Sequence, residues 1–446
     1  MDLLRDAAQR AARYLETLPE RRVGPAPEAV DALAGFAEPL PADGCAPEEA
    51  LALLDRLGSP ATLATAGGRF FGFVIGGALP QTVAASWLAS AWDQNAGRWV
   101  CSPTAGCLED VALGWLADLA GLPAGTGGAF VTGATLANFT ALAAARHAVL
   151  AAQGWDVEAD GLFGAPPVRV VVGEEAHPTL TKAVAMLGLG RERVVRLPVD
   201  RQGRVRADSL PRLDGPSIVC LQAGNINTGA FDPMDVLVPE AREAGAWVHV
   251  DGAFGLWAAA SHALAPLARG MALADSWATD AHKWLNVPYD SGLALLRDPE
   301  ILRRAMSISA AYLPEEGRRE PSHYTPELSR RARGIEIWMA LKTLGRSGVA
   351  AMVERCCRHA RRFAEGLAAA GYEILNDVVL NQVLVSFGSP ERTRDVIARL
   401  QADGTCWCGG TVWQGHTAMR ISVCSWATTE EDVERSLEAM LRIAAE

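Results

Sequence analysis

The strongest constraint in the chain is a rhythm that runs from about residue 61 to 310. Seven short runs, GAFVTGA, VRVVVG, RVVRLPV, SIVCLQAG, AWVHVDGA, DSWATDA and GLALLRD, are rich in β-branched or aromatic residues and bounded by glycine, proline or aspartate. These are the marks of short buried strands. Stretches with helical periodicity, such as TLANFTALAAARHAVLAAQG and PMDVLVPEAREAG, lie between several of them. Strands that alternate with helices make crossover connections, so the domain is α/β and its sheet of seven strands mostly parallel. Ligands of such a sheet sit outside the carboxyl ends of its strands. The search for chemistry starts there.

The rest of the chain is organised around that block. At 446 residues and about half hydrophobic, it can bury more than one core. Residues 1–60 read as a helical arm broken by proline-rich linkers, too poor in core residues to fold alone, and expected to pack on another subunit or the main body. Residues 61–310 form the large domain. The stretch 311–332 contains PEEGRREPSHYTPELSRR and reads as a mobile loop, and 333–446 as a smaller α+β domain. A net charge of -11 without a basic stretch argues against nucleic acid as a partner. No apolar run approaches the roughly 18 residues of a membrane span, and the charged start MDLLRDAAQRAARYLETLPERR is unlike a signal peptide, so a cytoplasmic location is expected. Nine scattered cysteines give neither a disulfide framework nor a metal site. A small-molecule substrate is the reading that remains.

Four strand ends carry residues of interest. Thr132, Gly133, Ala134 and Thr135 stand where a strand turns into a helix, and free backbone N–H groups there suit a phosphate or simply an N-cap. His177 follows the VRVVVG strand, as a structural histidine or as a flat ring against a planar ligand. Asp251 ends an apolar strand, where a carboxylate needs a partner: an arginine, a helix end, or a protonated ring nitrogen. Lys283, in TDAHKWLNVPYDSG, follows 32 residues later among apolar and aromatic neighbours. Its amine either snorkels to water or is sheltered for chemistry. An anion cradle, a flat ring, a carboxylate and a sheltered amine at one sheet edge are the set that pyridoxal phosphate requires.

In their order along the chain, WVCSPTAGCLEDVALGWLADLAGLP, VTGATLANFTALAAAR, EEAHPTLTKA, GNINTGAFDP, HVDGAFG and DAHKWLNVPYDSG resemble the group II pyridoxal-phosphate-dependent amino acid decarboxylases. That family includes the aromatic amino acid and glutamate decarboxylases, and the likeness spans roughly residues 60–345. The resemblance implies the type I, aspartate aminotransferase-like fold, and a homodimer with pyridoxal 5'-phosphate as cofactor. It implies that Lys283 forms the Schiff base, that His282 lies near the phosphate and that Asp251 keeps the pyridine nitrogen protonated. Ala253 would lie under the ring and His177 over it, with Ala134 and Thr135 on the phosphate and Asn225 and Asn227 near the cofactor's O3' side. Tyr324 is the implied proton donor.

The chain also departs from that pattern. Leu136 replaces an acidic residue after the phosphate turn, and Gly106 and Cys107 stand at the Thr and Glu positions of the SP segment, so the family's usual substrates do not carry over. Trp87, Trp92 and Trp99, with Phe70, Phe71 and Phe73, favour an aromatic or bulky apolar amino acid. Decarboxylation is the expected reaction. Transamination, aldol cleavage and oxidative deamination are its rivals on the same cofactor, and a catalytically silent cofactor-binding protein is the rival of another class.

Overall fold

The computed structural model describes residues 1–307 and 317–446. Seven strands form one sheet: β1 (Gly127–Val131), β2 (Arg169–Gly173), β3 (Val195–Leu197), β4 (Ser217–Gln222), β5 (Trp247–Asp251), β6 (Ser276–Asp280) and β7 (Gly292–Leu296). Their spatial order is β1-β7-β6-β5-β4-β2-β3. The pairs from β3 across to β6 are parallel, and β7 alone runs against its neighbours β6 and β1. Connection length explains the exception. β6 reaches β7 through one helical turn, Ala281–Trp284, and a short return, which is too little chain for a parallel crossover.

β5, β6 and β7 are buried at every position, because both faces of this part of the sheet are covered. The helix Ala134–Ala151 lies across these three strands. Since β1, β2, β4, β5 and β6 share one direction, Val131, Gly173, Gln222, Asp251 and Asp280 all arrive at the same edge. Parallel pairing thereby converts distant sequence positions into one row.

The chain divides into two compact units, residues 78–358 with 376–382, and residues 1–77 with 359–375 and 383–446. The first contains the seven-stranded sheet. The second carries most of a four-stranded sheet made of β8 (Glu373–Ile374), β9 (Gln382–Ser386), β10 (Gly409–Trp413) and β11 (His416–Ser422), in the order β10-β11-β9-β8. Composition had put boundaries at 60, 310 and 332, whereas long-range pairing groups the N-terminal segment with the C-terminal one. Phe70 bridges Trp407 and stacks on its ring at 5.0 Å, the Phe71 N–H donates to Trp407 O, and the buried Arg69 guanidinium donates to Pro19 O, Arg21 O and Thr405 O.

Of the expected mobile loop at 311–332, residues 311–316 lie outside the described residues. The part from 317 onward is held by buried charges. Arg330 meets Glu109 of the helix Pro103–Leu119 at 2.6 Å and donates to Phe130 O, and Glu320 meets Arg98 at 3.2 Å. The helix Gly334–Ala369 follows, interrupted at Gly345, whose φ of 60° is a conformation that glycine adopts most readily.

Candidate active site

Strand ends and the segments that follow them enclose a cavity of about 200 Å³ at the carboxyl edge of the sheet. β1 passes through Gly133 into the helix Ala134–Ala151, which brings Ala134 and Thr135 to the wall. After β2 comes His177, the N-cap of the helix Pro178–Met186. Its Nδ1 accepts from the Thr179 N–H, so a neutral ring carries its proton on Nε2. β4 contributes Gln222 and then Gly224 and Ile226; β5 contributes Asp251 and then Ala253 and Phe254; β6 contributes Asp280 and then His282 and Lys283. The helix start can sit this close because of two glycines. A Cβ on Gly292 would stand 2.4 Å from the Gly133 Cα, so the first residue of β7 packs against the turn that opens the helix.

Asp280 links the basic groups to the helix end. One carboxylate oxygen accepts from the Ala134 N–H at 2.6 Å. The other lies 3.2 Å from Lys283 Nζ and 3.6 Å from His282 Nε2. Lys283 is therefore not snorkelling: its side chain is only 16% exposed, and its ammonium is held at a buried carboxylate. His282 Nδ1 accepts the Ser291 N–H at 3.0 Å, and its ring stacks on Tyr289 with centroids 4.2 Å apart. Burial lowers the His282 pKa from its ordinary value, with Asp280 opposing that shift.

Asp251 is 4% exposed and faces the cavity. Its Oδ1 accepts from the Ala253 N–H and its Oδ2 from Asn138 Nδ2, both at 3.2 Å. Among the described residues no lysine, arginine or histidine forms an ion pair with it, although a buried carboxylate without a cation is costly. A ligand with a protonated nitrogen would supply the missing charge. The cavity thus offers the Thr135 N–H and hydroxyl at a helix start for an anion, since the Ala134 N–H is taken by Asp280, an amine for an aldehyde, and a carboxylate for a ring nitrogen. These residues fit pyridoxal phosphate.

Of the residues singled out in the sequence, Ala134, Thr135, His177, Asp251, Ala253, His282 and Lys283 line this one cavity. Asn225 and Asn227 do not. Asn225 turns inward, its Oδ1 accepting from the N–H groups of Asn227 and Thr228 and its Nδ2 donating to Gln222, so it shapes the loop while Gly224 and Ile226 face the space. Tyr324 ends a short 3-10 turn, with the Arg319 guanidinium 4.4 Å above its ring and the apolar residues around Leu302 beside it, and it is not in the lining. None of the six Trp and Phe residues read as an aromatic wall lines the cavity. Trp87 and Trp92 are about half exposed, Arg318 lies over Trp99, and Phe70 and Phe71 are buried in the other unit. Gly106 makes room for Trp99, whose Cε3 would be 2.9 Å from a Cβ there. Asp280, Gln222 and Asn138 were missed. Asp280 stands three residues before Lys283 and Gln222 ends a strand, so both had a positional signal; Asn138, inside an apolar helix, had none.

The seven-stranded sheet with a lysine beyond β6 and a carboxylate at the end of β5 is the type I fold of pyridoxal-phosphate enzymes. In a crystal structure of Oryza sativa TDC with PLP and tryptamine the same fold recurs, with a TM-score of 0.91 at 21% identity over 100% of this chain and 97% of that one. Residues 64–388 match the model of the pyridoxal-dependent decarboxylase conserved domain, and the chain belongs to that family. Similar relatives are an aromatic-L-amino-acid decarboxylase of Bacillus atrophaeus, 29% identical over 69% of this chain and 65% of that protein, and one of Drosophila lebanonensis, 28% identical over 78% and 91%. An L-2,4-diaminobutyrate decarboxylase of Acinetobacter baumannii is 26% identical over 79% and 75%. Among the described residues no helix is long and apolar enough to cross a membrane.

Proposed function

We propose that this chain decarboxylates an L-amino acid to its amine and carbon dioxide, using pyridoxal 5'-phosphate. The observation that carries the reading is the meeting of Lys283 and the cation-free Asp251 in one cavity beside a helix N-terminus. When bound, the cofactor supplies an aldehyde that condenses with amines and a ring that accepts the electron pair left by departing carbon dioxide. The Thr135 N–H and hydroxyl would bind the phosphate at the helix start, with Ala134, whose own N–H is taken by Asp280, in the wall beside them. His282 stands beside them, fixed in orientation by Ser291. Asp251 holds a proton on the ring nitrogen, which keeps the ring electron-poor. Ala253 and His177, both in the cavity wall, would bound the ring, and the single methyl of Ala253 would permit close approach. Asp280 holds Lys283 Nζ at 3.2 Å, and Lys283 is the amine that would hold the cofactor's aldehyde. His177 and Lys283 face the cavity, so they are the donors that the geometry favours for the proton that replaces the carboxylate; Tyr324 would have to leave its contact with Arg319 to take that role.

The apolar lining from Ile226 and Phe254 supports an aromatic or bulky apolar substrate, as do the relatives named for aromatic amino acids. The half-exposed Trp87, Leu88 and Trp92 on the helix Pro80–Trp92 support a homodimer that covers this face.

The test is an absorbance spectrum between roughly 300 and 500 nm, where a lysine-bound cofactor absorbs. It is taken on the wild type and on Lys283→Ala, and followed by carbon dioxide assays with a panel of amino acids. A yellow band that the variant alters, with carbon dioxide released from one substrate, is the expected result. A band without carbon dioxide would move the reading to transamination, aldol cleavage or oxidative deamination. No band after adding the cofactor would overturn it from Lys283 outward.

A further inference from the structure

Behind the cavity, five buried side chains form a single file. Trp247 Nε1 donates to Ser276 Oγ at 2.9 Å, Ser276 Oγ lies 2.9 Å from His249 Nδ1, His249 Nε2 lies 2.9 Å from Asn138 Oδ1, and Asn138 Nδ2 donates to Asp251 Oδ2 at 3.2 Å. Ser276, His249 and Asn138 are wholly buried, Trp247 and Asp251 nearly so. Four strand positions and one helix position therefore build a line that no single segment contains.

The donor inventory fixes the direction of this line from both ends. An indole N–H can only donate, so the Ser276 oxygen accepts from Trp247. The serine's own proton then points to His249 Nδ1, its one other partner, since a buried hydroxyl proton without an acceptor is costly. With Nδ1 accepting, the ring keeps its proton on Nε2 and donates it to the Asn138 carbonyl oxygen. The Asn138 amino group is left to face Asp251. From the other end, an ionised carboxylate only accepts, so the amide group must present nitrogen to it. Both ends give the same orientation, and reversing any link would set two acceptors or two donors face to face.

We propose that Trp247, Ser276, His249 and Asn138 are positioning residues that act as a one-way hydrogen-bond relay, holding the Asp251 carboxylate aimed at the cavity without supplying it a counter-charge. The inference rests on the reading of Asp251 as the partner of the cofactor's ring nitrogen. A lysine or arginine in place of Asn138 would fix the carboxylate equally well but would satisfy its charge internally. The neutral relay fixes rotation through Oδ2, while the Ala253 N–H does so through Oδ1. The negative charge remains for a cationic ligand. Burial also depresses the His249 pKa to about 4, although Asp251 pulls it upward, which fits a ring that stays neutral as the file requires.

Two readouts test the relay. First, the ring nitrogens of His249 are observed by nitrogen-15 NMR in cofactor-free protein, with the signals assigned by their loss in His249→Gln. An Nε2-protonated neutral ring at pH 7, perturbed by Ser276→Ala and retained in Ser276→Thr, is the expected result; an Nδ1-protonated or cationic ring would overturn the relay, whatever the chain binds. Second, wild-type holoenzyme and the variants Asn138→Leu, Ser276→Ala and Ser276→Thr are stripped and titrated with pyridoxal phosphate by absorbance, with urea midpoints measured alongside. Loss of a hydrogen bond to a charged acceptor should weaken cofactor binding about tenfold or more in Asn138→Leu and shift the pH dependence of its band, with Ser276→Thr near wild type. An Asn138→Leu protein with wild-type affinity and spectrum would overturn the proposal. If the wild type itself takes up no cofactor, the proposed function fails, and the NMR readout still decides the relay.

Discussion

At His249 the chain keeps a titratable ring in a place where a proton is unwelcome. Its pKa falls from 6.5 to about 4, so between those values the unfolded chain binds a proton that the folded ring refuses. The stability this represents is complete above pH 6.5 and is lost as the pH drops through about 4, on the order of 3 kcal/mol in all. Asp232 has the opposite sign. Burial raises its pKa from 3.8 to about 6 against two backbone N–H donors, so its contribution is complete below 3.8 and lost as the pH rises through about 6. Between pH 4 and 6 the two slopes oppose each other. In His249→Gln the acid-side loss should flatten or reverse, with Asp251, which pulls the His249 pKa upward against burial, still in place; urea midpoints at several pH values from 4 to 7 check this, and an unchanged slope would count against it. Close approach sets a second residue-scale limit. Gly292→Ala puts a Cβ 2.4 Å from the Gly133 Cα, where no rotamer can give way. The expected cost is about 1–3 kcal/mol, with weaker cofactor uptake because the same turn opens the helix proposed to face the phosphate, measured by thermal melts and cofactor titration.

Among the elements, the helix Pro103–Leu119 and the segment after residue 316 are joined by charge. Glu109, 1% exposed, meets Arg330 at 2.6 Å and Arg319 at 3.2 Å, and Arg330 has a wholly buried side chain. Such a pair contributes little net stability over an apolar substitute, yet removing one partner strands the other in a medium that cannot solvate it. Glu109→Gln should therefore cost about 3–5 kcal/mol, read as a lower urea midpoint at constant slope. A loss within about half a kcal/mol would mean that water reaches Arg330, since surface pairs contribute little. The same element logic explains the relay. β5 and β6 are adjacent and parallel, with His249 opposite Ser276 in register, and the helix Ala134–Ala151 crosses them with Asn138 one turn after its start.

For the whole molecule, the unit that holds the C-terminal sheet is assembled from three stretches of chain. Arg69, Phe70 and Phe71 are buried in it, through hydrogen bonds to Thr405 and Trp407 and the stack on the Trp407 ring. A chain beginning at residue 78 should leave these partners exposed and fail to give soluble, cooperatively folding protein. Adding residues 1–77 back as a separate chain should rescue it in part. Circular dichroism melts of both preparations test this, and a truncated chain that melts like the full one would contradict the arrangement.

Much of the cavity's lining was legible in the sequence, because it depends on local patterns. Apolar runs mark strands, alternation with helices makes them parallel, and parallel strands carry Ala134, His177, Asp251 and Lys283 to one edge whatever the details of packing. Side-chain direction is not local in that way. Asn225 turns into its own loop and Asn227 is not in the cavity wall, Tyr324 is occupied by Arg319, and the Trp and Phe residues that are close in sequence are spread over surfaces and cores in space. Asn138 reads from the sequence as one more interior helix position, and only the tertiary structure sets its amide between a histidine and a carboxylate from a strand 113 residues away. The sequence by itself determined which strand ends bring side chains to the cavity. The fold decided which way each group faces and what holds its charge, because those depend on neighbours that no stretch of sequence brings together.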